Sequence, residues 1–262
     1  MNFNRNHRFR YAAVESLGVG LQRVTARNPG PMTFHGTGTY LLGDRNVVII
    51  DPGPPLPDHL EVVCEALQDR TPECILVTHR HQDHAGLVEP LSRRLGLRVA
   101  AFEETRRSRS AAVDRESDVA GLLPDRRLAD RERIRTGAGL LEVVHTPGHT
   151  ADHLCFVDHR HRRVFCGDHV MAWSTSVIIP PDGHVGQYLR SLERLREFDG
   201  YTFWPTHGPP IEKAGEWIAA LISHREQRQQ QVLAALEAGP ASTEDLLSRI
   251  YPGLSPALLR AA

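Results

Sequence analysis

Four short apolar runs in this chain each end in a residue type that binds metals, set beside glycine. Cys74 to Val77 runs into Thr78-His79-Arg80-His81-Gln82-Asp83-His84-Ala85-Gly86, and Leu140 to Val144 leads to His149 in Thr146-Pro147-Gly148-His149-Thr150. Val164 to Cys166 leads to Asp168 in Gly167-Asp168-His169, and Tyr201 to Trp204 leads to His207 in Pro205-Thr206-His207-Gly208-Pro209. Apolar runs of this length bounded by turn residues read as strands. Loops at the carboxyl ends of strands open onto a crevice. The chain is therefore expected to fold so that all four loops meet at one sheet edge. A solvated loop of surface histidines would account for the first segment but not for its three companions.

The first segment alone holds four potential ligands within six residues. Imidazole and carboxylate without cysteine suit zinc, iron or manganese, and argue against a cysteine-rich structural zinc site. His79 and His81, two apart, can point the same way, while Asp83 and His84 carry the loop on to a second position. Asp51, at the end of the run Val47 to Ile50, and Thr78 are candidates for support, though a turn carboxylate capping Gly53 explains Asp51 equally well. His145 and His153 read as ordinary polar or supporting groups, and His169 as pointing away from Asp168. His184 either borders a substrate or sits in a solvated turn.

Composition limits the rest. Among 262 residues, 31 basic against 32 acidic side chains give a net charge of -1, which excludes a nucleic-acid binder held by bulk charge. All but Lys213 of the basic residues are Arg. No apolar run reaches the roughly 18 residues of a membrane span. Arg5, Arg8 and Arg10 are followed by Glu15 rather than by a signal peptide's apolar core, so a cytoplasmic location is expected, with organelle targeting left open. Cys64, Cys74, Cys155 and Cys166 form no C-x-x-C pair and read as buried thiols. Val19 to Asp51 reads as hairpin-connected strands, and strands alternate with helices afterwards, which predicts sheets covered by helices. The charge-dense stretch Arg126 to Arg135 reads as a solvated face. Residues 1–210 are expected to form the catalytic unit. Residues 211–262 are expected to form a helical appendage whose long helix, Glu212 to Leu236, ends at Gly239-Pro240; a short helix through Ile250 and another from Ser255-Pro256 follow.

The motif H-x-H-x-D-H, met in full by His79, His81, Asp83 and His84, together with His149, Asp168 and His207, closely resembles the metallo-beta-lactamase superfamily over Arg23 to Pro210. The resemblance implies an α/β fold, a four-layer αβ/βα sandwich with the site at the sheet edge, followed by a small helical appendage like a winged helix cut short before its wing. It implies that His79, His81 and His149 bind one metal and that Asp83, His84 and His207 bind a second. Asp168 would bridge them, with Asp83 and Asp168 as catalytic residues. Two divalent ions, zinc first, with iron or manganese as alternatives, would act on a bridging hydroxide as the nucleophile. Asn28-Pro29-Gly30-Pro31-Met32-Thr33, Gly36 to Leu41 and His224-Arg225-Glu226-Gln227 resemble the beta-lactamase-like protein 2 subgroup, although Gly38 stands where that subgroup usually has Asn. This implies a single-stranded RNA or a small-molecule ester or thioester as substrate; the lack of an apolar span leads us to expect no membrane partner, and the apolar stripe of the helix Glu212 to Leu236 must pack on the catalytic unit or on a second copy of the chain. Arg106, Arg107 and Arg109 are the candidates to track an RNA backbone. The alternatives are a thioester hydrolase of the glyoxalase II type, a mononuclear iron persulfide dioxygenase, and a module that only binds.

Overall fold

The central strands are buried on both faces, with alternate side chains pointing to opposite sides, which organises the molecule into layers. A computed structural model describes residues 1–102, 118–119, 122–237 and 239–253. Its first sheet runs in chain order through β1 (Val14–Ser16), β2 (Leu21–Thr25), β3 (Gly38–Leu42), β4 (Asn46–Ile50), β5 (Thr71–Leu76), β6 (Arg98–Phe102) and β7 (Arg126–Leu128). Neighbours are antiparallel up to β4 and parallel from β4 onward. The second sheet holds β8 (Arg133–Thr136), β9 (Gly139–His145), β10 (Leu154–Asp158), β11 (Arg163–Gly167) and β12 (Thr202–Pro205), in the order β12-β11-β10-β9-β8. Within it only β11 and β12 pair in parallel.

Alternate residues of one strand face different layers. Val48 and Ile50 of β4 meet Leu154 and Phe156 of β10 in the core between the sheets. Val47 and Ile49 instead face Val63 of α1 (Pro57–Glu65) and Leu91 of α3 (Val88–Leu95). On the other side, Cys155 and Val157 of β10 pack with Tyr188, Leu192 and Leu195 of α4 (Val185–Leu195) and with Ile218 and Leu221 of α5 (Ala214–Glu237). The result is the expected order of helix, sheet, sheet, helix. Burying one large aliphatic side chain contributes about 1.5–3 kcal/mol, so three such cores account for most of the driving force.

The long helix expected over Glu212 to Leu236 is α5, within two residues at either end, and the short helix expected through Ile250 is α6 (Thr243–Ile250). Ser242 caps α6 by accepting from the Asp245 amide at 3.1 Å. Two corrections concern the stretch Arg126 to Arg135 and the first ligand loop. The stretch is largely exposed, as expected, yet it forms β7 and β8, because single apolar residues, Leu128 and Ile134, anchor each strand to the core. The loop contains a short helix, α2 (Gln82–Ala85), too brief to show periodicity. The expected helix from Ser255-Pro256 and the cluster Arg106, Arg107 and Arg109 lie outside the described residues. Among the described residues no helix is long and apolar enough to cross a membrane.

Burial also creates a pH dependence. His59 of α1 is buried against the Thr39 hydroxyl at 2.8 Å, and desolvation pulls its pKa down to about 4. Unfolded, it takes up a proton below about pH 6.5; folded, it stays neutral until about pH 4. Stability is thus complete above pH 6.5 and falls by about 3 kcal/mol from this residue as pH drops to 4. Urea unfolding between pH 7 and 4.5 should show a slope that His59→Gln reduces by about one proton; an unchanged slope would contradict this.

Candidate metal centre

The carboxyl ends of β4, β5, β9, β11 and β12 deliver Asp51, the His79 loop, His149, Asp168 and His207 to one edge. Two glycines make the close approach possible. At Gly148 (φ 145°), a Cβ would meet the Tyr188 backbone nitrogen at 2.4 Å; at Gly167 (φ 49°), one would meet His153 Nε2 at 2.5 Å. Both glycines precede a site residue, so the chain turns left-handed just before presenting it.

All seven residues expected from the sequence converge, in overlapping groups: His79, His81 and His149; His79, His84 and Asp168; Asp83, His84 and His207. The candidate ligand atoms within each group lie within 4.8 Å of one another. In the first group His81 Nδ1 is 2.9 Å from His79 Nε2 and 3.1 Å from His149 Nε2. Nitrogens bound about 2.0–2.1 Å from a tetrahedral zinc lie roughly 3.3 Å apart, a comparable spacing. In the other group Asp83 Oδ2 is 3.0 Å from His207 Nε2 and 3.6 Å from His84 Nε2. Asp168 spans the two: its Oδ1 is 3.4 Å from His84 Nε2 and 3.5 Å from His207 Nε2, and its Oδ2 is 3.8 Å from His149 Nε2.

The outward nitrogens fix the tautomers. The Thr78 hydroxyl donates to Asp51 Oδ2 at 2.7 Å, so at 3.0 Å it accepts from His79 Nδ1. His84 Nδ1 donates to Asp51 Oδ2 at 2.8 Å, His149 Nδ1 to the Val177 carbonyl at 2.6 Å and His207 Nδ1 to the Gly36 carbonyl at 3.2 Å. Each of these four rings therefore aims an Nε2 lone pair inward, the arrangement of a metal-ligating histidine. His84 Nε2 and Asp168 Oδ1 are buried with no hydrogen-bond partner. Such groups are costly in a core unless something binds them. Nitrogen and carboxylate donors with unsatisfied inward atoms fit divalent cations.

Charge divides the site. Burial, then the neighbouring imidazoles of His84, His81 and His149, hold His79 well below its ordinary pKa; burial and His149 bring His81 to about 4. Burial works in the same direction on His84 and His207, yet Asp168 and Asp83 outweigh it and raise both. For Asp168, burial pushes upward but His207 and His84 hold the carboxyl well below its usual range.

Asp51 is a support of the site and does not cap Gly53. Its carboxylate accepts from the Thr78 amide (2.8 Å), the Thr78 and Thr206 hydroxyls (2.7 and 2.9 Å) and His84 (2.8 Å), whereas the Gly53 amide donates to the His84 carbonyl. His153 supports from behind: its Nε2 accepts from the Asp168 amide at 3.2 Å and its Nδ1 donates to the Thr146 hydroxyl at 2.8 Å. His169 lies in the core against Tyr188, and His184 caps α4 rather than bordering the cluster. Sequence reasoning missed Arg23, a buried guanidinium that donates to the Gly208 carbonyl at 3.2 Å and pairs with Glu15 at 2.7 Å. Its Cδ lies 2.8 Å from where a Gly38 Cβ would sit, so this chain has no room for the subgroup's usual Asn. Thr206 was missed too, although Thr206-His207 repeats the order Thr78-His79.

The model of the metallo-beta-lactamase superfamily matches residues 32–207. The chain belongs to the metallo-beta-lactamase superfamily. As a member it is a metal-dependent hydrolase of α/β sandwich fold. It is 31% identical to the lactamase-like protein aptB of Emericella nidulans over 84% of this chain and 66% of that one. It is 31% identical to the beta-lactamase-like protein 2 homolog of Drosophila melanogaster over 84% and 75% of the two chains. With the atrochrysone carboxyl ACP thioesterase dmxR1 of Cryptosporiopsis it shares 27% identity over 86% and 65%. The chain thus spans about two thirds of the length of aptB and dmxR1. Among solved structures, a beta-lactamase domain protein from Burkholderia ambifaria superposes with TM-score 0.83 at 20% identity, covering 98% of this chain and 86% of the other. TTHA1623, solved in a di-iron-bound form, is 28% identical with TM-score 0.58 over 74% and 96%.

Proposed function

We propose that the chain is a dinuclear hydrolase, and the observation that carries this reading is Asp168, whose two carboxylate oxygens face different groups of imidazoles. His79, His81 and His149 would hold one ion, Asp83, His84 and His207 the other, with Asp168 between them. The all-nitrogen-and-oxygen donor set suits zinc first; the di-iron form of TTHA1623 makes iron the alternative. When bound, a pair of divalent ions acidifies water toward neutrality and offsets negative charge building up on a substrate oxygen. Asp83, its side chain 29% exposed, stands at the mouth, where it can orient an attacking water by accepting a hydrogen bond. Asp51, Thr78, Val177 and Gly36 keep the imidazoles aimed before substrate arrives, so little reorganisation is needed during reaction.

For substrate, a phosphodiester of single-stranded RNA is the first reading. Its support is the likeness to the beta-lactamase-like protein 2 homologs and a cationic N-terminal segment. There Arg8 and Arg10 are exposed beside half-buried Phe9, which packs on His35 and Phe34 near the Gly36 carbonyl that holds His207. Exposed cations beside aromatic side chains suit a phosphate backbone and its bases. A thioester is the second reading, favoured by the likeness to dmxR1.

Stripping the protein with chelator and reloading it should restore two ions per chain by elemental analysis, together with cleavage of an unstructured RNA oligonucleotide. RNA affinity should fall steeply with salt, and replacing both Arg8 and Arg10 by Ala should lower that salt slope by about two contacts' worth. At most one ion per chain after reloading would overturn the dinuclear reading. Metal-dependent, salt-insensitive turnover of acyl thioesters without RNA cleavage would replace the substrate assignment alone.

A further inference from the structure

The segment linking Asp168 to α4 is tied to the C-terminal helix at two points. Trp217 of α5 donates from its indole nitrogen to the Met171 carbonyl at 2.9 Å, and Arg225, two turns further on, donates from Nη2 to the Ser176 carbonyl. Ser176 and Val177 are also the residues through which this segment touches the site. The Ser176 hydroxyl, 2% exposed, donates to the Asp168 and His169 carbonyls at 2.6 and 2.9 Å. The Val177 carbonyl receives the Nδ1–H of His149. The Arg225 guanidinium lies over the buried Tyr188 ring, 5.5 Å from its centroid, and the Tyr188 hydroxyl donates to the Ser176 hydroxyl at 3.3 Å. Among the described residues no carboxylate forms an ion pair with Arg225. Its cation is spent on a backbone carbonyl one residue from the one that orients His149.

We infer that Arg225 is a positioning residue for the His79, His81 and His149 group, so that the C-terminal helix sets the metal affinity of this half of the centre. The inference rests on reading that group as a metal site. The loop Trp173 to Ile179 belongs to no helix or strand, so its carbonyls hold their direction only as well as their anchors do. If Ser176 drifts, the Val177 carbonyl turns, and the His149 lone pair leaves its bearing toward His81. Loss of an outer partner of a ligating histidine weakens metal binding by about 10–100-fold, and Arg225 acts one step further out. About tenfold is therefore expected.

The test is competition of the full-length protein against a chromophoric chelator with Co(II), following the two binding events and their visible spectra. The event abolished in His149→Ala identifies the three-histidine group, and the one abolished in Asp83→Ala the other. In Arg225→Met, with Arg225→Gln measured in parallel as a second chance at a folded variant, the first event should weaken about tenfold with an altered spectrum while the second stays within about twofold. Arg225→Lys, which keeps a donor within reach of the Ser176 carbonyl, should restore most of the loss. Arg228→Met serves as control, because Arg228 on the same helix bonds instead to the Ile250 carbonyl and lies over Tyr251; it should change neither event. Unchanged constants in Arg225→Met, or an equal loss in both events, overturns the inference. A wild-type protein that takes up no metal overturns the metal-centre reading, and this inference with it.

Discussion

Asp168→Ala should cost at least about a thousandfold in kcat and leave at most one tightly held ion per chain, while the protein still folds. Losing a preorganised charge at the reacting centre costs about 10²–10³ in rate even where the rest of the machinery stays in place, and here the second ion goes with it. The carboxylate faces both sets of imidazoles, with Oδ1 at 3.4 and 3.5 Å from His84 and His207 and Oδ2 at 3.8 Å from His149. Folding depends on it much less, because the cores of Val48, Ile50, Phe156 and Phe165 between the sheets, and of Val164, Leu192 and Ile218 under the helices, do not include it. Elemental analysis, steady-state kinetics and circular dichroism on one preparation would decide the matter. Retained turnover with two ions bound would end the bridging assignment.

Asp51→Ala should damage both stability and metal binding. It strands the Thr78 amide, the Thr78 and Thr206 hydroxyls and His84 Nδ1, all now satisfied by a carboxylate that is fully buried. Leaving one buried donor unpaired costs about 1–3 kcal/mol, and breaking a buried charged network about 3–5 kcal/mol, a large share of the 5–15 kcal/mol of a typical domain. Metal affinity should fall about 10–100-fold, because His84 loses its orienting acceptor and His79 depends on the same Thr78 hydroxyl. Asp51→Asn should recover part of the stability but not the affinity, since its amide must turn either an NH₂ group toward three donors or its single oxygen away from the Thr78 amide. Urea midpoints of the metal-free proteins and chelator competition separate the two effects. A wild-type affinity in Asp51→Asn would show that Asp51 holds up the fold alone.

That the candidate ligands gather at one sheet edge was readable from the order of residues because the rule behind it is local. A strand ends, the chain turns at glycine, and the next side chain faces the edge, as at Gly148-His149 and Gly167-Asp168. Sheets covered by helices were readable for a similar reason, since short apolar strands alternating with period-3.6 helices leave few ways to bury both, while the four-layer order followed from the resemblance to the superfamily. The weak edge strands β7 and β8 were not, because one apolar residue in each carries too little pattern to outweigh the surrounding Arg and Asp.

What orients the candidate ligands came only with the tertiary structure. The Val177 carbonyl, the Gly36 carbonyl and the Ser176 hydroxyl act through backbone direction and common polar groups, which leave no signature in a sequence. Arg23 and Arg225 look like any other arginine in a chain whose basic residues, Lys213 apart, are all arginine. Asp51 could equally have capped Gly53 until folding brought Thr78, His84 and Thr206 to its oxygens. Residue type and spacing decide which atoms can bind a metal. Contacts between segments more than a hundred residues apart, such as Gly36 with His207 and Asp51 with Thr206, decide where those atoms point, because a hydrogen bond depends on distance and angle that only the packed chain defines.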